Sequence, residues 1–356
     1  MPRIVSAGIW RPSFIEFRPK NRIEEAYMQT LSISEDKKQA ELLLYYKINI
    51  AGSENENINF KNWELIITGC CGNSSFEKKE KLKFIAGHMR FSIGDPILWW
   101  PKGRGQPNLY KITISLLQNG KIVDTFNFNH GIRTVELLRT SVTGLKGEGE
   151  FCFKINNEKT FVKGTNWVPL DAFHSRDKER VEEAVSLVVD LGCNMIRCWG
   201  GNVYENTIFY NLCDENGIMV WQDFAMACTV YPQDEEFCKR IEYEVTCTVK
   251  RLRQHPCIVL WCGDNECDTS YLWFKMGIEP NSNIITRRVI PKVLRLHDPI
   301  RPYLPRSPYI LEWENAKSGG VNHYVSGNPP FDAEKYIKML NKLIDIMKWD
   351  HNYFLL

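Results

Sequence analysis

Glu266 closes the segment Trp261-Cys262-Gly263-Asp264-Asn265-Glu266, directly after the apolar run Cys257–Trp261. A carboxyl beside an amide at the end of a buried strand is a candidate general acid, because partial burial raises its pKa toward working pH. The same dipeptide also fits a loop glutamate paired with an arginine. Asp264 and Asp268 crowd this loop, and like charges there would help to keep one carboxyl protonated. Three other segments have the same form, an apolar run followed by polar and aromatic residues. They are Thr165-Asn166-Trp167, Arg197-Cys198-Trp199-Gly200-Gly201 and Trp221-Gln222-Asp223-Phe224. Flat apolar sugar faces stack on indole rings, and sugar hydroxyls need Asn, Asp, Glu and Arg partners, so this mixture suits a carbohydrate. Trp167 and Asp223 are candidate substrate-binding residues, with Asp223 reading equally well as the partner of Arg197 on a neighbouring strand. His323 alone is read as structural.

Such segments act together only if a scaffold brings strand ends to one rim. From about residue 150 the chain alternates short apolar runs with helical patterns, the signature of a parallel sheet, open or closed as a barrel, whose sites form at the C-terminal strand ends. Strands are expected at Phe161–Asn166, Asn194–Trp199, Ile218–Phe224 and Cys257–Trp261, with weaker ones around Tyr303 and Val321–Tyr324. Helices are expected at Lys178–Leu191, Tyr204–Asn216 (stopped by Gly217), Glu235–Gln254, Ile284–Leu296 and Ala333–Met347. Residues 31–137 read differently. Leu42, Leu44, Tyr46, Ile48 and Ile50 alternate with more mixed residues, as do Ile112, Ile114 and Leu116 with polar ones. Period-two alternation over six or seven short runs predicts a β-sandwich of immunoglobulin size.

Composition narrows the classes. Lys+Arg of 45 against Asp+Glu of 43 leaves a net charge of +2, which offers no footprint for nucleic acid and no polybasic membrane signal. No apolar run approaches the ~18–20 residues of a spanning helix, and the first residues lack a signal-peptide pattern. The 12 cysteines include no Cys-x-x-Cys pair, so neither a zinc site nor a disulfide framework is expected. Most lie in apolar or periodic segments, with Cys70 and Cys71 in a turn-like stretch. This usage suggests a reducing, cytoplasmic setting. Oligomeric state is not legible.

GTNWVPLDAF, NMIRCWGG, YENTIFYNLCDENGIMVWQDF and RLRQHPCIVLWCGDNE resemble, in order and spacing, the catalytic domain of glycoside hydrolase family 2, in its β-mannosidase branch. Upstream, GIWRPSFIEF resembles the last strand of that family's sugar-binding jelly roll, and LWWPKGRGQPNLYKI through GIRTVEL resembles its middle domain. The likeness covers nearly all of residues 7–310. It implies a multidomain chain: a remnant jelly-roll strand over 1–20, an immunoglobulin-like β-sandwich over 21–137, and an incomplete (β/α)8 TIM barrel over 138–356. It also implies a retaining exo-glycosidase for terminal β-mannosides, with a carbohydrate as its partner and no cofactor or metal. Glu266 is implied as the acid/base, Asn265 as its neighbour at the sugar 2-hydroxyl, Trp199 as a sugar-site aromatic and Tyr324 as a rim residue.

The departures set further expectations. The family's nucleophilic Glu follows the seventh barrel strand in a Ser-Glu-[Phe/Tyr/Ile]-Gly type segment, and none occurs. Glu312, Glu314 and Glu334 lack a strand-end context, and Asn352–Leu356 resembles the opening of that strand. Residues 137–356 also fall short of the ~250 typical of a closed barrel. Asp264 stands where many β-mannosidases have Asn. The expectation is a chain that, as given, hydrolyses no glycoside at an enzymatic rate. The alternatives are another family 2 exo-activity (β-glucosaminidase or β-galactosidase) and a non-catalytic carbohydrate binder.

Overall fold

The computed structural model describes residues 8–52, 59–139, 151–273 and 282–307. Its first part is a sandwich of two antiparallel sheets. Strands β1 (Arg22–Ile33), β2 (Gln39–Asn49), β3 (Trp63–Cys71), β4 (Ser74–Lys81), β5 (Ala86–Gly94), β6 (Tyr110–Gln118) and β7 (Lys121–His130) form it. One sheet has the order β1-β2-β5 and the other β4-β3-β6-β7. The alternation read from the sequence is the inward face: Leu42, Leu44, Tyr46 and Ile48 of β2 meet Leu65 and Ile67 of β3 and Ile112, Ile114 and Leu116 of β6 in one buried cluster. Two strands depart from the expectation. The first begins at Arg22, ahead of residue 31. Ser74–Lys81 is a strand rich in charge, as an edge strand should be, with Phe76 packed against the core. Cys70 and Cys71 end β3 and precede the turn.

Strand β8 (Val135–Arg139) pairs antiparallel with β9 (Phe151–Ile155), which pairs with β10 (Glu158–Thr160). Then follow β11 (Gly164–Trp167), α1 (Val181–Asp190), β12 (Met195–Cys198), α2 (Thr207–Asn216), β13 (Met219–Asp223), α3 (Glu235–Leu252) and β14 (Ile258–Cys262). The short helix α4 (Cys267–Trp273), a π-turn at Ile285–Val289 running into α5 (Ile290–His297), and β15 (Tyr303–Leu304) complete the described chain. Strands β11 to β15 make one parallel sheet in strictly sequential order, with no reversal of direction. The strands expected at Val321–Tyr324 and the helix at Ala333–Met347 lie outside the described residues.

Each helix covers the sheet with an apolar stripe: Val181, Val185 and Val188 on α1, and Ile241, Val245, Val249 and Leu252 on α3. Asp234 caps α3 by accepting from Phe237 N at 2.9 Å. Gly217 ends α2 at φ +67°, the left-handed position the sequence assigns to it. Strand alternation then sorts the side chains. Ile196, Cys198, Val220 and Trp261 alternate toward the helices and Met195, Arg197, Trp221 and Asp223 toward the opposite, inner face, with Met195 and Trp221 buried in the same apolar cluster as the first set. Among the described residues no helix is long and apolar enough to cross a membrane.

Candidate active site

The inner face carries a buried polar chain that starts at Asp223, the last residue of β13. Its carboxylate accepts from Arg197 Nη2 at 2.7 Å, Gly200 N at 3.0 Å and Trp221 Nε1 at 2.8 Å, with Arg197 Nε a longer fourth donor at 3.4 Å. Burial pushes the Asp223 carboxyl above its ordinary range, against these donors. Burial also works against the charge of Arg197, but Asp223 outweighs it and the guanidinium is held above its usual value. Asp223 is thus the partner of Arg197, the second of the two roles its position allowed.

Arg197 next donates from Nη2 to Asn265 Oδ1 at 2.9 Å. With its oxygen engaged, the buried Asn265 has a fixed amide orientation, Nδ2 turned toward the rim. Its backbone is held as firmly: Asn265 N donates to Met226 O at 3.0 Å, and Cys228 N donates to Asn265 O at 2.8 Å. Glu266 follows, half-buried, four residues beyond the C-terminal end of β14. Its N–H donates to Ser307 O at 2.8 Å, and Ser270 N donates to its carbonyl at 3.0 Å. Its Oε2 lies 3.4 Å from Cys228 Sγ, which Asn265 Nδ2 approaches at 3.3 Å.

The Gly-Gly of the second segment has a steric cause. A Cβ on Gly200 would stand 2.3 Å from Met226 O and 3.3 Å from Asn265 N, so only glycine lets the end of β12 pack there. One on Gly201 would fall 2.1 Å from the Trp199 indole, so glycine there makes room for Trp199, half-buried at the same rim.

Other expected site residues fall elsewhere. Trp167 is 5% exposed; its ring packs on Phe209 of α2 with centroids 4.8 Å apart, and its Nε1 donates to Glu205 Oε1 at 2.9 Å. The structure therefore sets it on the helix side and does not bring it to Glu266. Tyr324 and His323 lie outside the described residues. The charge crowding acts on Asp264 and Asp268 themselves. Asp264 Oδ1 accepts from Cys267 N at 3.1 Å, while Asp268 is engaged by Arg287, Arg306 and Asn283. Burial and the charge of Asp268 push the Asp264 carboxyl well up. These groups brace the loop from below.

Sequence reading missed Cys228. It places that residue among the core-like cysteines, yet it is exposed, as is Cys247. The one signal was its position just past the Trp221–Phe224 strand end. Below the rim the inner face is a concavity of about 550 Å³ whose lining includes Phe153, Asn166, Met195, Arg197 and Trp221. Among the described residues no group of three or more His, Cys, Asp or Glu is arranged to hold a metal ion.

The family model for glycosyl hydrolases family 2 matches residues 22–133. The chain is similar to the β-mannosidase of Mus musculus, at 37% identity over 219 residues, covering 59% of this chain and 25% of that one. It is similar to β-mannosidase B of Thermothelomyces thermophilus at 31% over 327 residues, covering 86% and 36%. The crystal structure of β-D-mannosidase from Dictyoglomus thermophilum superposes with a TM-score of 0.73 at 35% identity, over 85% of this chain and 36% of that one. A Parabacteroides merdae β-glucuronidase shares the fold at 19% identity and a TM-score of 0.62. The chain thus belongs with glycoside hydrolase family 2 and has that family's multidomain fold. Its relatives at 31–37% identity are β-mannosidases. It spans only about a quarter to just over a third of the length of these curated relatives.

Proposed function

We propose that the chain carries the acid/base side of a retaining β-mannosidase site, built on an arc of a (β/α)8 barrel. On this reading residues 21–137 are the sandwich that follows a jelly-roll strand at 1–20, and 138–356 belong to the barrel. The observation that carries it is the buried chain Asp223–Arg197–Asn265, which ends beside Glu266 at the C-terminal rim of sequentially ordered parallel strands. A doubly wound sheet would reverse its strand order instead.

The chemistry assigned to each group follows from its donors and acceptors. The Glu266 carboxylic acid gives its proton to the glycosidic oxygen as the C–O bond breaks; as carboxylate it then takes a proton from the attacking water. Asn265 gives one Nδ2–H to Cys228 and keeps the second for a sugar 2-hydroxyl. Mannose and glucose differ at that carbon, so an amide locked by Arg197 is placed to read the difference. Trp199 offers an indole face for stacking. Asp223 and Arg197 touch no sugar in this scheme; they position Asn265.

A retaining reaction needs a second carboxyl ~5–5.5 Å from the first, and the sequence has no segment matching the family's Ser-Glu motif. General-acid catalysis alone supplies ~10²–10⁴-fold, far below the ~10⁶-fold of a working enzyme. The purified chain, assayed on p-nitrophenyl β-mannoside, β-glucoside, β-galactoside and β-glucosaminide, is therefore expected to give no enzymatic turnover. Turnover comparable to that of a full-length β-mannosidase, abolished by Glu266→Gln, would overturn this and reveal a nucleophile elsewhere in the chain.

A further inference from the structure

Two non-glycine residues with left-handed backbones meet at the rim: Cys228 at φ +51° and Glu266 at φ +61°. Such conformations are strained for residues with a Cβ and persist only where the surroundings fix them. Here the fixing elements are the isolated parallel bridges Ala227–Asn265 and Asn265–Ser307, together with the bond from Cys228 N to the Asn265 carbonyl. The result sets the Cys228 thiol between the two residues on which the proposed chemistry rests. Sγ accepts from Asn265 Nδ2 at 3.3 Å and donates to Glu266 Oε2 at 3.4 Å.

We propose that Cys228 is a positioning residue for Glu266: anchored by Asn265, its thiol holds Oε2 and leaves Oε1 to face the leaving-group oxygen. This rests on the reading of Glu266 as the acid/base and adds a fourth member to the chain Asp223–Arg197–Asn265. Through it a glutamate side chain with three rotatable bonds is tied to the buried ion pair of β12 and β13. Sequence composition gives the cysteine no such role, and a core cysteine would have no partner of this kind.

The groups that face the thiol are Glu266, Asp264 beneath the loop, Cys267 at the start of α4, and Tyr231, whose hydroxyl accepts from Ala227 N at 3.2 Å, with Arg197 behind Asn265. Burial pushes the thiol above its ordinary value, the Glu266 carboxylate pushes it further, and Asn265 pulls it down. The geometry can therefore be read from the thiol's own titration.

The test is alkylation of the full chain by iodoacetamide from about pH 6 to 11, the high-pH plateau taken from the fitted titration curve, with rates resolved residue by residue by mass spectrometry. Exposed Cys247 on α3 is the internal reference. Glu266→Gln should lower the Cys228 midpoint and raise its rate at pH 7 about three- to tenfold, the gain in thiolate for a fall of half to one pH unit. Asn265→Ala should raise the midpoint. The high-pH plateau and the Cys247 rate should stay unchanged. A merely loosened surface would lift the plateau without moving the midpoint; that result, or a midpoint unmoved by Glu266→Gln, overturns the proposal. The reaction contains no sugar, so its failure is distinct from failure of the glycosidase reading, which the aryl glycoside panel tests.

Discussion

Asp223 shows how much a single side chain organises here. It gathers donors from β12, from the Gly200 backbone and from its own strand, and is only 1% exposed. Removing one partner of a buried ion pair leaves the other charged and unpaired, at a cost of about 3–5 kcal/mol. Asp223→Ala should lower the urea-unfolding free energy by that amount; a loss below ~1 kcal/mol would mean that Arg197 does not depend on it. The sequence left Asp223 balanced between sugar ligand and arginine partner, because one residue at a strand end carries no record of what the adjacent strand aims at it. Arg197↔Trp221 register settles that question, since it puts the guanidinium and the carboxylate on one face of neighbouring strands. Trp167, read as a substrate-binding candidate, shows the same blindness to the neighbouring element. An indole at a strand end suits either face, and the sheet turned this one toward α2.

At the scale of elements, the strand ends are held by close backbone packing. Gly200→Ala would force the end of β12 away from Met226 O and Asn265 N. Overpacking of this kind costs typically about 1–3 kcal/mol, and the displaced Asn265 should also blunt the response of the Cys228 alkylation midpoint to Glu266→Gln. Thermal melts that superpose on wild type would contradict the prediction. Most of the parallel strands and the helices were legible because they pair an apolar run or a 3.6-residue stripe with an explicit stop, such as Gly217 after α2 or His255-Pro256 beyond α3; β11 instead starts at Gly164, three residues later than expected, with Phe161 and Val162 exposed ahead of it. What stayed hidden lacked those patterns. β4 was not singled out, since this edge strand sets one apolar ring, Phe76, against the core among charged residues and so offers little alternation to read. The loop from Ala225 to Tyr231 carries no periodicity, so nothing in it announced that Cys228 would face Glu266. The Glu266 motif itself was legible only because the polar residues follow the apolar run directly.

On the scale of the molecule, sandwich and parallel sheet are joined by buried polar contacts. Trp99 Nε1 donates to Asp214 O at 2.8 Å, Arg133 Nε donates to Pro256 O at 2.8 Å, and Arg253 lies 3.4 Å over the Tyr27 ring. His130, at the end of β7, sits in this joint between Thr30 and Gln254. Burial, then Arg133 and Arg301, lower its pKa to about 3. A histidine held neutral in the fold takes up its proton more readily when unfolded, so between about pH 6.5 and 3 the unfolded chain binds more protons. Stability should therefore rise with pH across that window, by at most ~1.4 kcal/mol per pH unit from this residue. Urea melts of wild type and His130→Gln should diverge in slope between about pH 6 and 4, with the variant flatter; parallel slopes would place the histidine outside the joint. The joint matters to function because it holds the sheet whose rim presents Asn265 and Glu266. The central claim, that this rim is a β-mannoside site read by Asn265, is tested most directly by calorimetric titration of the chain with p-nitrophenyl 1-thio-β-mannoside and its gluco epimer. One hydrogen bond to the 2-hydroxyl contributes about 0.5–1.5 kcal/mol, so the mannoside should bind up to about tenfold more tightly, and Asn265→Ala should erase the difference. Equal binding of the two epimers to the wild-type chain, or a preference that survives Asn265→Ala, would contradict it.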